Sequence, residues 1–220
     1  IFSQSNWFLA LADAANAARD PDLTYDGTTN RWTVQPRLLA RATMNISNIF
    51  RSVFGAGEMM TRVRPVLAAQ IGNAGTYTTA LNFMDARHGG SAQHIYAVSG
   101  APYITVNNES APLSVSQIFA EMTDYRNVNN VAWVNVMKNA AQTSGIKFIA
   151  YEGGQHLLPS LGNAANKLAA QTDQRMKEQI LWSLNNWKTA GGEIFFYYSM
   201  ASGWNNAGYW GLSNDISYDI

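Results

Sequence analysis

The sequence predicts an α/β protein built on a parallel sheet. Four short apolar segments with strand patterns alternate with longer segments that have helical spacing. Strands that are separated by helices need crossover connections, and such connections bring them together in parallel. The third and fourth segments are nearly continuous apolar runs, which is typical of strands buried on both faces. A doubly wound sheet is one arrangement that satisfies this pattern.

The elements follow one another in a regular order. Helices are predicted over residues 6–19, 35–54, 76–87, 114–144 and 173–190, and the fourth of these is expected to break near residues 127–130. Strands are predicted over residues 61–70, 93–106, 146–151 and 193–199. In the second helix, apolar side chains recur along one face at Leu38, Leu39, Ala42, Ile46, Ile49, Phe50 and Val53.

The composition excludes several classes of function. Fifteen basic residues balance fifteen acidic ones among 220, so no net charge favours nucleic acid or an anionic membrane surface. No apolar run reaches the ~18 residues of a membrane span. Cysteine is absent, which excludes disulfides and thiolate metal sites. We expect no metal and no cofactor, since His88 and His94 flank a loop and fit surface roles better than metal ligation.

The low charge and the many aromatic residues suit a neutral ligand. Charged residues make up 14% of the chain, against roughly 25% in an average soluble domain. Aromatic residues make up 12%, including seven Trp and ten Tyr. Sugars are neutral and their apolar faces stack on aromatic rings, so the composition favours a carbohydrate. A well-filled core with some exposed tyrosines explains the same numbers.

The strongest candidate for chemistry is Glu152, which directly follows the third apolar segment. A carboxylate at the end of a buried strand is costly unless it is paired or used. Gly153 and Gly154 follow it and remove side chains that would crowd an approaching ligand. In a retaining glycosidase such a Glu attacks the anomeric carbon, and a second carboxyl ~5–5.5 Å away protonates the leaving oxygen. The alternative is a structural Glu that forms a salt bridge or caps a helix.

The segment 149–156, Ile-Ala-Tyr-Glu-Gly-Gly-Gln-His, resembles the seventh strand of bacterial cellulose-binding-protein-like carbohydrate-active proteins, which are related to the clan A glycoside hydrolases. Segments 54–70, 99–103 and 187–212 resemble the neighbouring passages of that family in order and spacing. This resemblance implies one domain over residues 1–220, the C-terminal half of a (β/α)8 TIM barrel with strands five to eight. It also implies an extracellular or periplasmic, secreted bacterial protein.

The resemblance assigns roles to single residues. Glu152 corresponds to the family's nucleophile and Tyr103 to the residue that bonds it. Trp204 or Trp210 corresponds to the tryptophan that floors the sugar site, and the sequence does not decide between them. The other expected sugar contacts are Gln70, Gln155 and His156.

One departure from the family is important. The acid/base Glu of the family follows an Asn on the fourth strand, and the only Asn-Glu pair here, Asn108-Glu109, follows the second apolar segment. The resemblance therefore implies that the chain begins just after the acid/base. A half barrel leaves open sheet edges, so we expect a companion polypeptide that carries strands one to four and the acid/base Glu.

Two hypotheses on function follow, with a third behind them. The first is a retaining glycoside hydrolase that acts on a β-linked glycan, with Glu152 as nucleophile. The second is a non-catalytic protein on the same scaffold that binds a polysaccharide or oligosaccharide, or builds an extracellular assembly. The third is an unrelated structural α/β protein. A second carboxylate within reach of Glu152 separates the first hypothesis from the second.

Overall fold

Seven α-helices and three short strands are found in the computed structural model, which describes residues 6–215 and residue 217. The helices are α1 (Asn6–Ala17), α2 (Arg31–Phe54), α3 (Ala74–Arg87), α4 (Val115–Tyr125), α5 (Val131–Thr143), α6 (Ala164–Gln171) and α7 (Gln174–Ala190). The strands are β1 (Val66–Ala68), β2 (Ala97–Gly100) and β3 (Lys147–Ala150). A π-helical turn, Arg126–Asn130, joins α4 to α5 at the predicted break.

The helix ends have local causes in the sequence. At the start of α4, Ser114 and Gln117 form a reciprocal capping box that satisfies two backbone amides. The side chain of Asp173 accepts a hydrogen bond from the amide of Arg175 at the start of α7. That helix ends at Gly191, whose φ of 91° lies in the left-handed region that glycine adopts without strain. These caps fix the start of α4 and both ends of α7.

The chain divides into two compact units. Unit 1 comprises Ile1–Gly100 and Val136–Ile149, and unit 2 comprises Ala101–Asn135 and Ala150–Ile220. The three strands form one sheet in the order β1-β2-β3, and β1 pairs with β2 in parallel, with Leu67 opposite Val98. All four residues of β2 are buried. The sequence therefore located these three parallel strands correctly, although each is shorter than predicted.

The predicted fourth strand, residues 193–199, does not form. Phe195 makes a single parallel bridge to Ala150. The amide of Phe196 donates to the carbonyl of Ala150 (3.1 Å), but the next bonded amide, that of Tyr198, donates to Gly153 (2.8 Å). A regular ladder advances by two residues on both chains. Here one side advances by three, and this shift at Gly153 breaks the pairing.

The same segment also lacks the burial that the sequence predicted for it. Ile194 is 41% exposed, Phe196 56% and Tyr198 45%, so one side of this apolar run faces solvent. With three strands and one isolated bridge in its place, the prediction of a half (β/α)8 barrel with strands five to eight is wrong. The reason for expecting a companion chain with strands one to four is then lost, and the companion chain itself stays a prediction.

Helix α2 buries a different face from the one that its apolar spacing indicates. Ile46, Ile49 and Val53 recur at helical spacing and are 52%, 63% and 69% exposed. The buried positions instead include Arg37, whose guanidinium pairs with Asp26. Periodicity therefore predicted the helix itself but not the side on which it packs.

Unit 2 has its own hydrophobic cluster, made from both of its chain segments. Its members come from the loops after β2 and β3, from α4, α6 and α7, and from the C-terminal region: Ile104, Val106, Leu113, Ile118, Phe119, Met122, Leu157, Ala170, Met176 and Tyr209. Beside it lies Lys167 of α6, whose side chain is fully buried. Its Nζ is 2.8 Å from Glu109 Oε2 and donates to the carbonyl oxygens of Glu109 (2.6 Å) and Leu158 (2.8 Å).

The carboxylate of Glu109 completes this polar network. It accepts a hydrogen bond from the amide of Leu158 (3.1 Å) and one from the hydroxyl of Thr105. A buried ammonium is tolerated only when it is paired and hydrogen-bonded. All three donors of Lys167 have acceptors, so the network ties α6 to the loops around residues 105–109 and 158.

We expect Lys167→Met to destabilise the protein by about 3–5 kcal/mol, because it leaves Glu109 buried without its counter-charge. Urea unfolding followed by circular dichroism measures this loss. Lys177→Met, at an exposed position of α7, is the control and should cost no more than about 0.5 kcal/mol. The double variant with Glu109→Gln should recover part of the loss. A loss under about 1 kcal/mol for Lys167→Met would show that the network is not needed.

Candidate functional site

The candidate site lies in unit 2, where the loops after β2 and β3 run side by side. The amide of Ile104 donates to the carbonyl of Gly154 (2.9 Å), and the amide of His156 donates to that of Ile104 (2.8 Å). These bonds bring Tyr103 of the first loop next to Glu152 and His156 of the second. The loop that follows β2 and the loop that follows β3 are therefore held together by backbone hydrogen bonds.

A third segment joins this pair from the C-terminal region. The amide of Tyr209 donates to the carbonyl of Leu157 (3.0 Å) in an antiparallel bridge. This places Trp210 beside His156, and the indole Nε1 of Trp210 donates to His156 Nδ1 at 2.7 Å. The tautomer of His156 is fixed by this bond, because Nδ1 must be unprotonated to accept it.

Four rings form a continuous row, which we call the ring row: Tyr103, His156, Trp210 and Tyr198. The centroids are 5.3 Å apart between Tyr103 and His156, 5.8 Å between His156 and Trp210, and 6.0 Å between Trp210 and Tyr198. All three contacts are tilted or edge-to-face, the arrangements that aromatic pairs prefer. Tyr198 is the exposed end of the row.

Trp204, the other candidate for the tryptophan that floors the sugar site, has a different environment. Its ring packs against the hydrophobic cluster of unit 2, and its Nε1 donates to the carbonyl of Gly211 (3.1 Å). The structure therefore brings Trp210 into the ring row and places Trp204 against the core. Gln70, another expected sugar contact, is an exposed residue of unit 1, two positions after β1.

Gln155 holds the site together from inside. It is only 2% exposed, and its Nε2 donates to the carbonyl of Gly211 (2.9 Å) and to the side chain of Gln171 (3.2 Å). Its Oε1 accepts a hydrogen bond from the hydroxyl of Tyr197. Because both ends of the amide are engaged within the chain, Gln155 positions the neighbouring segments in this structure.

The two glycines after Glu152 make room for rings of the same chain. A Cβ at Gly153 would lie 2.6 Å from the ring of Phe195, and one at Gly154 would lie 2.8 Å from that of Tyr197. Gly154 also has a φ of 133°, which residues with a side chain rarely adopt. We expected these glycines to leave space for a ligand, but two aromatic rings occupy that space.

The carboxylate of Glu152 affects the pKa values of two tyrosines in the site. Burial raises the pKa of Tyr103, and the carboxylate of Glu152 raises it further. Burial and then Glu152 likewise raise the pKa of Tyr151. These phenols are therefore neutral hydrogen-bonding groups at physiological pH. Glu152 itself is half-buried.

His156 is neutral for a related reason. Burial lowers its pKa, and the positive charge of Lys167 lowers it further, while Glu109 acts in the opposite direction. A neutral imidazole is the form that accepts the Trp210 hydrogen bond. The ring row therefore carries no formal charge of its own at physiological pH, and Glu152 lies next to it.

The sequence missed three residues that matter here. Tyr197 and Tyr198 were included in the predicted fourth strand, and Lys167 was not singled out. The alternation of exposed and half-buried residues from Ile194 to Met200 separates Tyr197 from Tyr198, but it becomes visible only in the structure. A lysine in a short, alanine-rich helix carries no sequence signal of burial.

Two features were looked for in the described residues, a group of metal-binding side chains and a membrane-spanning helix. Within 6–215 and 217, no three His, Asp or Glu side chains gather in a way that suits a metal ion. None of the helices in that part of the chain is both long enough and apolar enough to cross a membrane. Comparisons with protein-family models, with curated proteins and with solved structures found no match for this chain.

We expect the stability of the protein to fall as the pH drops below about 6.5, the ordinary pKa of histidine. The pKa of His156 is lowered in the folded state, so between that value and 6.5 the unfolded chain binds more protons. Acid therefore favours unfolding and removes the acceptor that holds Trp210. Urea titrations between pH 8 and pH 5 measure this slope.

His156→Asn is the informative variant, because an amide oxygen replaces the Nδ1 acceptor and does not titrate in this range. It should flatten the pH dependence between pH 6.5 and pH 5. His94→Asn in unit 1 is the matched control and should keep the slope. Equal slopes in wild type and His156→Asn would contradict the assignment.

Proposed function

We propose that unit 2 binds a neutral, β-linked glycan at the ring row, with Glu152 as an acceptor for sugar hydroxyls. The observation that carries this proposal is the row itself, in which Tyr103, His156, Trp210 and Tyr198 are in successive ring contact. Sugar rings present an apolar face that stacks on aromatic rings and hydroxyl groups that need polar partners. Carbohydrate sites combine these two features.

The accessibility of the row supports the proposal. Tyr198 is 45% exposed, and the neighbouring Phe196 is 56% exposed. Exposed aromatic side chains next to one another are unusual on a surface without a binding role. The even charge balance of the chain suits a neutral ligand. Secretion and a polysaccharide partner are the expectations that accompany this proposal, and both stay predictions.

Binding is better supported than hydrolysis. The two-carboxylate mechanism needs an acid that is free to protonate the leaving group. Glu109 is close enough to influence the pKa of His156, but its carboxylate is committed to Lys167, to the amide of Leu158 and to Thr105. With these three partners, the carboxylate of Glu109 is not placed to act on the leaving group of a glycan. Glu152 as a glycosidase nucleophile therefore stays a prediction that needs an acid from elsewhere.

We expect Tyr198→Ala to weaken the binding of a soluble β-linked glucan by about 10-fold, equivalent to ~1.4 kcal/mol, because the exposed end of the row is removed. Isothermal titration calorimetry with cello-oligosaccharides and affinity electrophoresis in β-glucan gels measure the change. Trp32→Ala removes a more exposed aromatic ring from unit 1 (61% exposed) and is the control. Equal losses in both variants, or no glucan binding by the wild type, would refute the ring row as the site.

We expect Glu152→Gln to retain most glucan binding, within about 5-fold, because an amide still accepts hydrogen bonds from hydroxyl groups. We also expect neither this variant nor the wild type to release reducing sugar from the bound glucan. Chromatography of the oligosaccharides after long incubation tests this. Release by the wild type that is abolished in Glu152→Gln would make the hydrolase the correct function.

A further inference from the structure

A second site is indicated by the groove between α4 and α7 in unit 2. Both helices present residues to it at the spacing i, i+3, i+4, i+7, which is one helix face: Ser116, Phe119, Ala120 and Thr123 on α4, with a matching set from 175 to 182 on α7. The groove has a volume of about 620 Å³. It shares no residue with the ring row, so it is independent of the glycan proposal.

The floor of the groove is polar and ordered. Gln179 is 5% exposed, and its Nε2 donates to the hydroxyl of Thr123 at 2.9 Å. Its Oε1 accepts a hydrogen bond from Nη1 of Arg126, also at 2.9 Å. Arg126 is thereby fixed at one end of the groove, where its guanidinium lies 4.7 Å from the ring centroid of Trp182.

Arg126 lacks the counter-charge that the other arginine of the groove has. Arg175 pairs with Asp173 through two nitrogens, at 2.9 Å and 2.7 Å. Arg126 forms no salt bridge with any carboxylate in the described part of the chain, and its shielded Nε has no hydrogen-bond partner there. Its Nη2 likewise makes no hydrogen bond to a described residue.

This unmatched guanidinium is costly for the protein. Burial lowers the pKa of Arg126, and the nearby charge of Glu178 raises it only in part. The residue also begins the π-helical turn Arg126–Asn130, and such turns in α-helices are frequent at functional sites. Among the charged groups that line the groove, Arg175 is compensated and Glu178 is exposed. An added anion therefore gains most by pairing with Arg126.

We propose that this groove binds an acidic carbohydrate through a carboxylate that pairs with the guanidinium of Arg126. A carboxylate matches the planar fork of arginine. The ring of Trp182 and the hydroxyl of Ser116 supply the mixed apolar and polar wall that a sugar ring needs. Because one guanidinium is uncompensated, each groove takes one carboxylate.

The test uses the full chain and three probes: D-glucuronate, D-glucose and acetate. Binding is followed by ¹⁵N NMR on the indole N–H of Trp182, which is assigned with Trp182→Phe. We expect glucuronate to shift this resonance with saturation, D-glucose to leave it unchanged, and acetate to bind at least 10-fold more weakly. Acetate binding as tight as glucuronate, or no saturable shift with glucuronate, overturns the proposal.

Substitutions in the groove test whether Arg126 supplies the positive charge that binds glucuronate. Arg126→Gln should weaken glucuronate binding by about 10- to 100-fold, the usual range for a charged hydrogen bond, and Arg126→Lys should recover part of it. Glu178→Gln should tighten binding about 2- to 5-fold, because a competing negative charge is removed. Arg62→Gln, the same change at an exposed position of unit 1, is the matched control. Unchanged affinity in both Arg126→Gln and Glu178→Gln would refute the site.

Discussion

The buried ammonium of Lys167 is the constraint on which the site in unit 2 depends. It reaches two carbonyl oxygens and one carboxylate that lie far apart in sequence, so α6, the loop after β2 and residue 158 are held in one arrangement. A buried lysine is tolerated only when a carboxylate pairs with its charge and each of its N–H donors has an acceptor. Because residue 158 follows His156 by two positions, the same network fixes the backbone that carries the centre of the ring row.

The chemical character of the ring row follows from that arrangement. Burial is the main cause that lowers the pKa of His156, while Glu109 raises it and Lys167 lowers it, and the neutral imidazole accepts the Trp210 hydrogen bond. The carboxylate of Glu109 pairs with Lys167 and is therefore not available to a ligand. A site whose nearest buried charges neutralise each other suits an uncharged ligand and leaves Glu152 as the available carboxylate.

The sequence predicted what depends on local pattern and missed what depends on distant partners. Strands β1, β2 and β3 were found because apolar runs between helices are local, whereas the pairing of Tyr103 with Glu152 was only implied by the resemblance to a known family. Residues 193–199 looked like another strand, yet the one-residue shift at Gly153 that ends their pairing lies forty residues away. The burial of Lys167 depends on Glu109, fifty-eight positions earlier, and no periodicity shows this. The helix α2 was found, but its apolar stripe faces solvent.

Two arginines in the same groove differ in whether a carboxylate of the chain neutralises them. Only an arginine without such a partner has its charge available to a ligand. Arg175 lies 4.5 Å from the ring of Phe119 and Arg126 4.7 Å from that of Trp182, so the two have the same aromatic support. They differ in that Asp173 pairs with the first, whereas no carboxylate of residues 6–215 and 217 forms a salt bridge with the second. The complementary case is Lys167, which pairs with Glu109 within the chain. Unit 2 therefore has an aromatic surface without formal charge and a separate groove with one guanidinium that forms no salt bridge to a described residue.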